Sequence, residues 1–201
     1  VTHWSNLAHR THADLEATGM RLRLDTFATD IDVAGRQLAV RDHDGNTDLV
    51  SYDELIVGTG AVPVRPLIDG LDDVGPADGV HLLHSMGDTF ALTDSLDRLQ
   101  PRSALIVGAG YVGLEMAEGL TMRGIEVTQV EMLPEVLPTV EVELGALVHD
   151  ELGKHGVDVH TNSTVTRISR TESGVHVDGR TNDDEALGWD IDNTQGWAEP
   201  Y

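Results

Sequence analysis

Residues Ser103–Glu131 read SALIVGAGYVGLEMAEGLTMRGIEVTQVE, and this stretch decides the fold. Ala104 to Val107 is a short apolar run suited to a strand buried on both faces, and Gly108, Gly110 and Gly113 follow it at the spacing G-x-G-x-x-G. Each glycine has its own reason. Gly108 permits a tight turn out of the strand, Gly110 leaves out a side chain that would block a pyrophosphate, and Gly113 lets the next helix lie close to the sheet. That helix, with Leu114, Ala117, Leu120 and Thr121 as its inward face, is expected to end at Gly124. Its N-terminus carries unpaired N–H groups and partial positive charge, which favour an anion. Ile125 to Val130 reads as the second strand. Glu131 stands at its tip, where a carboxylate can accept both ribose hydroxyl protons of a dinucleotide. Such a carboxylate repels a 2'-phosphate, and Met132 to Glu135 contains no arginine to receive one, so NADH is expected rather than NADPH.

Composition narrows the rest. The chain has 201 residues, 35 acidic and only 13 Lys or Arg, for a formal net charge of -22. That balance argues against nucleic acid or an anionic membrane as a partner and suggests a host with high internal salt, a merely acidic protein being the alternative. There is no cysteine, hence neither a disulfide nor a thiol nucleophile. No apolar run reaches membrane-spanning length and no signal-peptide pattern opens the chain, so a soluble cytoplasmic protein is expected.

Outward from the central unit, Leu7 to Gly19 has helical character. Arg21 to Leu24, Ala28 to Val33, Gln37 to Arg41 and Thr47 to Val50 read as short strands between the turns Ala34-Gly35 and Asp44-Gly45-Asn46. Tyr52 to Pro63 predicts a buried strand running into the turn Gly58-Thr59-Gly60. A proline- and glycine-rich connector follows to Val80, then a helix from Gly87 to Leu99. After Glu131 the pattern predicts a helix over Val140 to His155 with Leu144, Leu147, Val148 and Leu152 on one inward face. A third parallel strand over Val157 to His160 and a hairpin of Val165 to Ile168 with Val175 to Val177 come next. Residues 179–201, acidic and aperiodic despite Trp189 and Trp197, are expected to form an irregular tail. The histidines His3, His9 and His12, and the pair His81 and His84, find no third ligand at matching spacing, so no metal site is expected.

These motifs carry a family likeness. YDELIVGTGAVPVRP, the connector, SALIVGAGYVGLEMAEGL, VTQVE and HGVDVHTNSTVTRI together resemble the pyridine nucleotide-disulfide oxidoreductases, closest to the coenzyme A-disulfide reductase and NADH oxidase/peroxidase branch. The resemblance runs from about Leu7 to Ile168. It implies an α/β architecture in which a three-layer, Rossmann-like NAD-binding domain, residues 100–178, is attached to part of an FAD-binding domain, residues 1–99. It implies FAD and NADH as cofactors, with Thr59, Gly60, Ala61 and, more loosely, Ala28 on the FAD side. On the NADH side it adds Ala109, Val112, Tyr111 as the residue covering the flavin's nicotinamide face, and Glu115 near the flavin, to Gly108, Gly110, Gly113 and Glu131. The family's redox cysteine, first FAD glycine motif and dimerisation domain have no counterpart here, so no catalytic residue is assigned, an internal piece of a longer reductase is expected, and a homodimer of the whole protein stays open. The implied activity is hydride transfer from NADH to FAD and on to a disulfide, peroxide or oxygen. A ferredoxin or rubredoxin reductase of the same architecture, or a non-catalytic NAD-binding module, are the alternatives. A dehydrogenase of the Tyr-x-x-x-Lys kind is disfavoured, because the single lysine, Lys154, follows Asp150 rather than a tyrosine.

Overall fold

The computed structural model describes residues 9–192, so the expected helix start at Leu7, His3 and Trp197 lie outside the described residues. The chain forms two compact units, one up to Ala61 and one from Val62 onward.

In the first unit, Thr11 sets the helix start. Its hydroxyl accepts from the Asp14 N–H at 3.2 Å while its own N–H donates to the Asp14 carboxylate at 2.7 Å, a reciprocal cap that starts α1 (His12–Glu16). Gly19, at φ +90°, closes that turn. The strands β1 (Thr26–Asp32), β2 (Gln37–Asp42) and β3 (Thr47–Ser51) form an antiparallel meander in the order β1-β2-β3. Asp32 and Asp42 hold its turns by accepting from the N–H groups of Gly35 and Asn46. Two expectations fail here. Arg21 to Leu24 is not a strand; Leu24 is exposed, and Arg23 pairs with Asp48 at 2.9 Å instead. The strand expected over Tyr52 to Pro63 is also absent among the described residues: Ile56 is 92% and Val57 66% exposed. An apolar run is buried on both faces only between paired neighbours, and β1, β2 and β3 pair only with one another.

The second unit has three layers. At its centre β4 (Ser103–Val107), β5 (Glu126–Val130) and β6 (Asp158–His160) are parallel in the order β4-β5-β6, with Val107 opposite Val130. Three helices belong to one face: α2 (Met86–Leu99), started by a reciprocal Ser85–Asp88 cap, α3 (Tyr111–Thr121), and α4 (Val142–Lys154). On that side Leu96, Ala117, Leu120, Ile125, Val127 and Val157 form one buried cluster. The other face is covered by an antiparallel meander of β7 (Ser163–Arg170), β8 (Gly174–Thr181) and β9 (Ala186–Asp192). There Val130, Val165, Ile168, Val175 and Val177 close a second cluster together with Leu71 from the connector. The α/β, three-layer expectation for this region therefore stands, as do the predicted strands and helices of the central unit to within three residues.

Two corrections follow from packing. Strand β9 occupies residues 186–192, inside the stretch expected to be an irregular tail. Leu187, Trp189 and Ile191 alternate inward, and Trp189 packs against the second cluster. A Cβ on Gly179 would stand 2.8 Å from the indole, so that glycine makes room for the ring. Helix α4 is rotated from its expected face. Leu144 and Leu147 are 53% and 65% exposed, while Gly145 is buried where a Cβ would meet the Val136 carbonyl oxygen at 2.7 Å. The helix approaches the loop backbone through Gly145, which leaves Val148 and Leu152 half-buried and turns Leu144 and Leu147 outward.

Truncating Trp189 to Ala should cost about 2 kcal/mol or more, read as a lower urea midpoint; an unchanged midpoint would show that β9 carries no packing energy. A pH effect is also expected. His176 on β8 pairs with Asp190 of β9 at 2.6 Å and with Asp178 at 3.3 Å. The hydrogen bond with Asp190 pushes the imidazole above its ordinary value of 6.5, partial burial opposes this, and the charges of Asp190 and Asp178 add to it. A raised folded pKa means that the stabilisation is complete below the unfolded value and is lost as pH rises through the folded one. With the side chain 34% exposed, solvent screening holds the contribution below about 1 kcal/mol. The Tm deficit of His176→Asn relative to wild type should therefore be present at mildly acidic pH and disappear in alkaline buffer.

Candidate dinucleotide site

At the end of β4 the chain turns at Gly108, whose φ of +103° is a conformation that favours glycine. Every polar backbone group of Gly108 and Ala109 then has a partner. The Gly108 N–H donates to Val130 O at 2.8 Å, continuing the ladder to β5. Its carbonyl accepts from Gln129 Nε2 at 3.1 Å. The Ala109 N–H donates to Glu131 Oε2 at 2.8 Å, and the Ala109 carbonyl accepts from the Leu137 N–H at 2.8 Å. Strand β5 and the loop after it thus determine the shape of the turn.

Gly110 caps α3 with no side chain, and a Cβ there would meet nothing within 4 Å. The space beyond that Cα is open. Hydrogen bonding within α3 begins with the Leu114 N–H to Gly110 O at 3.0 Å, which leaves the preceding N–H groups for an anion at the helix end. Gly113 meets the opposite condition: a Cβ there would collide with the Gly108 carbonyl oxygen and stand 2.9 Å from Gln129 Nε2. This is the close helix-to-turn approach expected of the third glycine.

Glu131 is buried at 6% exposure. Its Oε1 accepts from the Leu133 N–H at 2.9 Å and its Oε2 from the Ala109 N–H at 2.8 Å. Both oxygens therefore already hold one donor, with further lone pairs remaining for a ligand. The backbone of Glu131 is tied as well, its N–H to His160 O at 2.8 Å and its carbonyl to the Ser163 N–H at 2.9 Å.

The structure brings Gly108, Ala109, Gly110, Tyr111, Val112, Gly113 and Glu131 to one end of the parallel sheet. Tyr111 and Val112 are exposed at 63% and 57%, beside the exposed Val107, and Glu115 is exposed one turn further along α3. The residues assigned to FAD lie in the other unit. Ala28 is on β1, and Thr59, Gly60 and Ala61 run through an irregular segment in which Gly60 takes φ +74°. All four are exposed, so they do not by themselves form an enclosing cradle for a flavin.

Sequence reasoning missed Gln129 and Leu137 as parts of the site. Leu137 acts through its main chain, which leaves no side-chain signature. Gln129 left only a weak one, standing between Val127 and Glu131 on the alternation of a strand, EVTQV, that already contains Glu126 and Thr128; the structure buries it completely, at 0% exposure. The clefts lined by Asp69 to Val74 with Arg167 to Arg170, and by Arg65, His81 and Asp88, involve none of these residues. No cluster of metal-ligating side chains occurs among the described residues, and none of their helices is long and apolar enough to cross a membrane.

The order strand, glycine turn, helix, strand and buried acid defines a dinucleotide-binding α/β protein. Residues 3–191 match the family model of the pyridine nucleotide-disulphide oxidoreductases, and the chain belongs to that family. An NADH oxidase of Methanocaldococcus jannaschii is 35% identical over 162 residues, which cover 79% of this chain and 35% of that protein. A coenzyme A disulfide reductase of Staphylococcus haemolyticus is 31% identical over 119 residues, covering 59% of this chain and 25% of that one. Among solved structures, reduced CoADR-RHD from Bacillus anthracis superimposes with a TM-score of 0.81 at 26% identity, over 96% of this chain and 33% of that chain. The chain thus spans between a quarter and about a third of the length of these relatives.

The collision at Gly113 is with backbone and with a buried amide, neither of which can swing away. Gly113→Ala should therefore destabilise the second unit by about 2 kcal/mol in urea melts; wild-type stability would show that α3 does not press on the turn.

Proposed function

We propose that this chain is the nicotinamide-dinucleotide-binding part of an FAD-dependent NADH oxidoreductase that passes hydride to FAD and then to a disulfide, peroxide or oxygen. The observation that carries the reading is the pairing of an open Gly110 at the N-terminus of α3 with a buried carboxylate, Glu131, at the tip of the adjacent strand. The pyrophosphate lies over Gly110, neutralised by the helix terminus. The adenosine ribose meets Glu131 through the lone pairs its two N–H donors leave free. A 2'-phosphate there would face a carboxylate with no arginine among residues 132–135, which supports NAD over NADP.

FAD, when bound, supplies the two-electron acceptor; residues 1–99 with Ala28, Thr59, Gly60 and Ala61 contribute to holding it, and residues 100–178 form the NAD domain. Tyr111, exposed at the start of α3, covers the nicotinamide face of the flavin, and Glu115 lies near it. Placing the nicotinamide against the flavin is the catalytic contribution of this part of the chain, since the redox chemistry belongs to the cofactors. The acidic surface, with net charge -22, suits a cytoplasm of high ionic strength, where charges separated by more than a few Å are screened.

Titration calorimetry of the chain with NADH and NADPH tests the reading. NADH should bind and NADPH should bind much more weakly. Glu131→Ala should lose about tenfold or more in NADH affinity, the loss expected for a charged hydrogen-bonding partner. Equal affinity of wild type and variant, or a preference for NADPH, would overturn it.

A further inference from the structure

Gln129 is the one fully buried polar side chain beside the glycine turn, and packing does not account for it. Its Nε2 donates to Gly108 O at 3.1 Å, and its Oε1 is buried without a hydrogen-bond partner. The reverse orientation of the amide would set Oε1 against the Gly108 carbonyl, two acceptors face to face. A leucine or methionine of similar size would fill the space under Gly113 but leave the Gly108 carbonyl without its donor, so glutamine exchanges one orphaned acceptor for another and brings no clear gain in stability.

What glutamine adds is a donor, and the place it donates to matters. The Gly108 carbonyl and the Ala109 N–H belong to one planar trans peptide and point in opposite directions. The carbonyl is held by Gln129; the N–H is held by Glu131 Oε2 at 2.8 Å. Gln129 and Glu131 alternate along β5 and so project from the same face of that strand. Together they grip a single peptide at both ends. Without the Gln129 donor the carbonyl end of that peptide is untied, and any tilt it gains moves the Ala109 N–H relative to the carboxylate that orients on it.

We infer that Gln129 is a positioning residue for dinucleotide binding, which acts through the Gly108–Ala109 peptide to aim the Glu131 carboxylate and thereby sharpens the preference for an unphosphorylated ribose. The inference rests on the nucleotide reading above. It assigns to a side chain that touches no ligand a share of both affinity and selectivity.

The test uses the whole chain and its Gln129→Met variant, which keeps length and approximate volume but removes the donor. Thermal melts and calorimetric titrations with NADH and NADPH are run on both. The expected result is a Tm close to wild type, since one orphaned acceptor replaces another, with about tenfold weaker NADH binding and a smaller NADH-to-NADPH affinity ratio. A residue that only packed would move Tm and leave the ratio unchanged. Wild-type affinity and ratio in a folded variant would overturn the proposal and leave the nucleotide reading intact, whereas failure of the wild-type chain to bind NADH would overturn both. A measurement on wild type alone covers a variant that does not fold: the Gln129 side-chain amide signals in a nitrogen–proton NMR spectrum should shift on addition of NADH, and signals unmoved at saturation would sink the idea.

Discussion

The peptide between Gly108 and Ala109 is the constraint on which the site depends. Its carbonyl is fixed by Gln129 and its N–H by Glu131, while the flanking Gly108 N–H and Ala109 carbonyl are fixed by Val130 and Leu137. On the proposed reading this loop admits a diphosphate, and it then cannot be held by bulky side chains, because these would fill the space the ligand needs. Hydrogen bonds from below solve that problem. They leave the surface over Gly110 open while giving the turn one conformation, so little ordering cost remains at binding.

The layered architecture explains why the partners come from β5. As the middle strand of β4-β5-β6 it is covered on both faces, and it meets the two cores with alternate residues: Val127 faces the helical cluster, Val130 the antiparallel sheet. Gln129 and Glu131 continue the helical-side alternation, Gln129 still opposite Ile106 and Glu131 one residue beyond the last pair, Val107 with Val130, where the glycine turn replaces β4 as neighbour. A polar side chain there is not a fault in a core position but the start of the site. The tie from Glu131 backbone to His160 and Ser163 extends the same rigidity to β6 and β7.

How much of this was legible in the sequence depends on whether a residue's role follows from local pattern. Ala104 to Val107, the three glycines and Glu131 announce themselves because strand period, turn chemistry and helix period agree there. Strand β9 was overlooked because Gly188 and the surrounding acids dilute a short alternation, yet Leu187, Trp189 and Ile191 did carry it. The face of α4 was misjudged for a different reason. Large apolar residues were counted as inward, whereas close approach to the Val136 carbonyl is possible only at Gly145, and the approach of backbone to backbone sets the rotation. Ile56 and Val57 show the limit of any one-chain reading, since an apolar run specifies that it can be buried but not what buries it.

Glu131 also resolves an apparent conflict between the charge of the protein and that of its ligand. A chain with 35 acidic residues offers an unfavourable long-range field to a dinucleotide carrying a negatively charged pyrophosphate. If the protein works at high ionic strength, as proposed above, that field is screened beyond a few Å, and what remains is the local arrangement. On the proposed reading the N-terminus of α3 supplies partial positive charge to the phosphates, while the Glu131 carboxylate is engaged by two backbone N–H groups. A buried carboxylate held in this way is a directional acceptor more than a diffuse negative charge. That is the property required to accept from ribose hydroxyls close to a phosphate without repelling it.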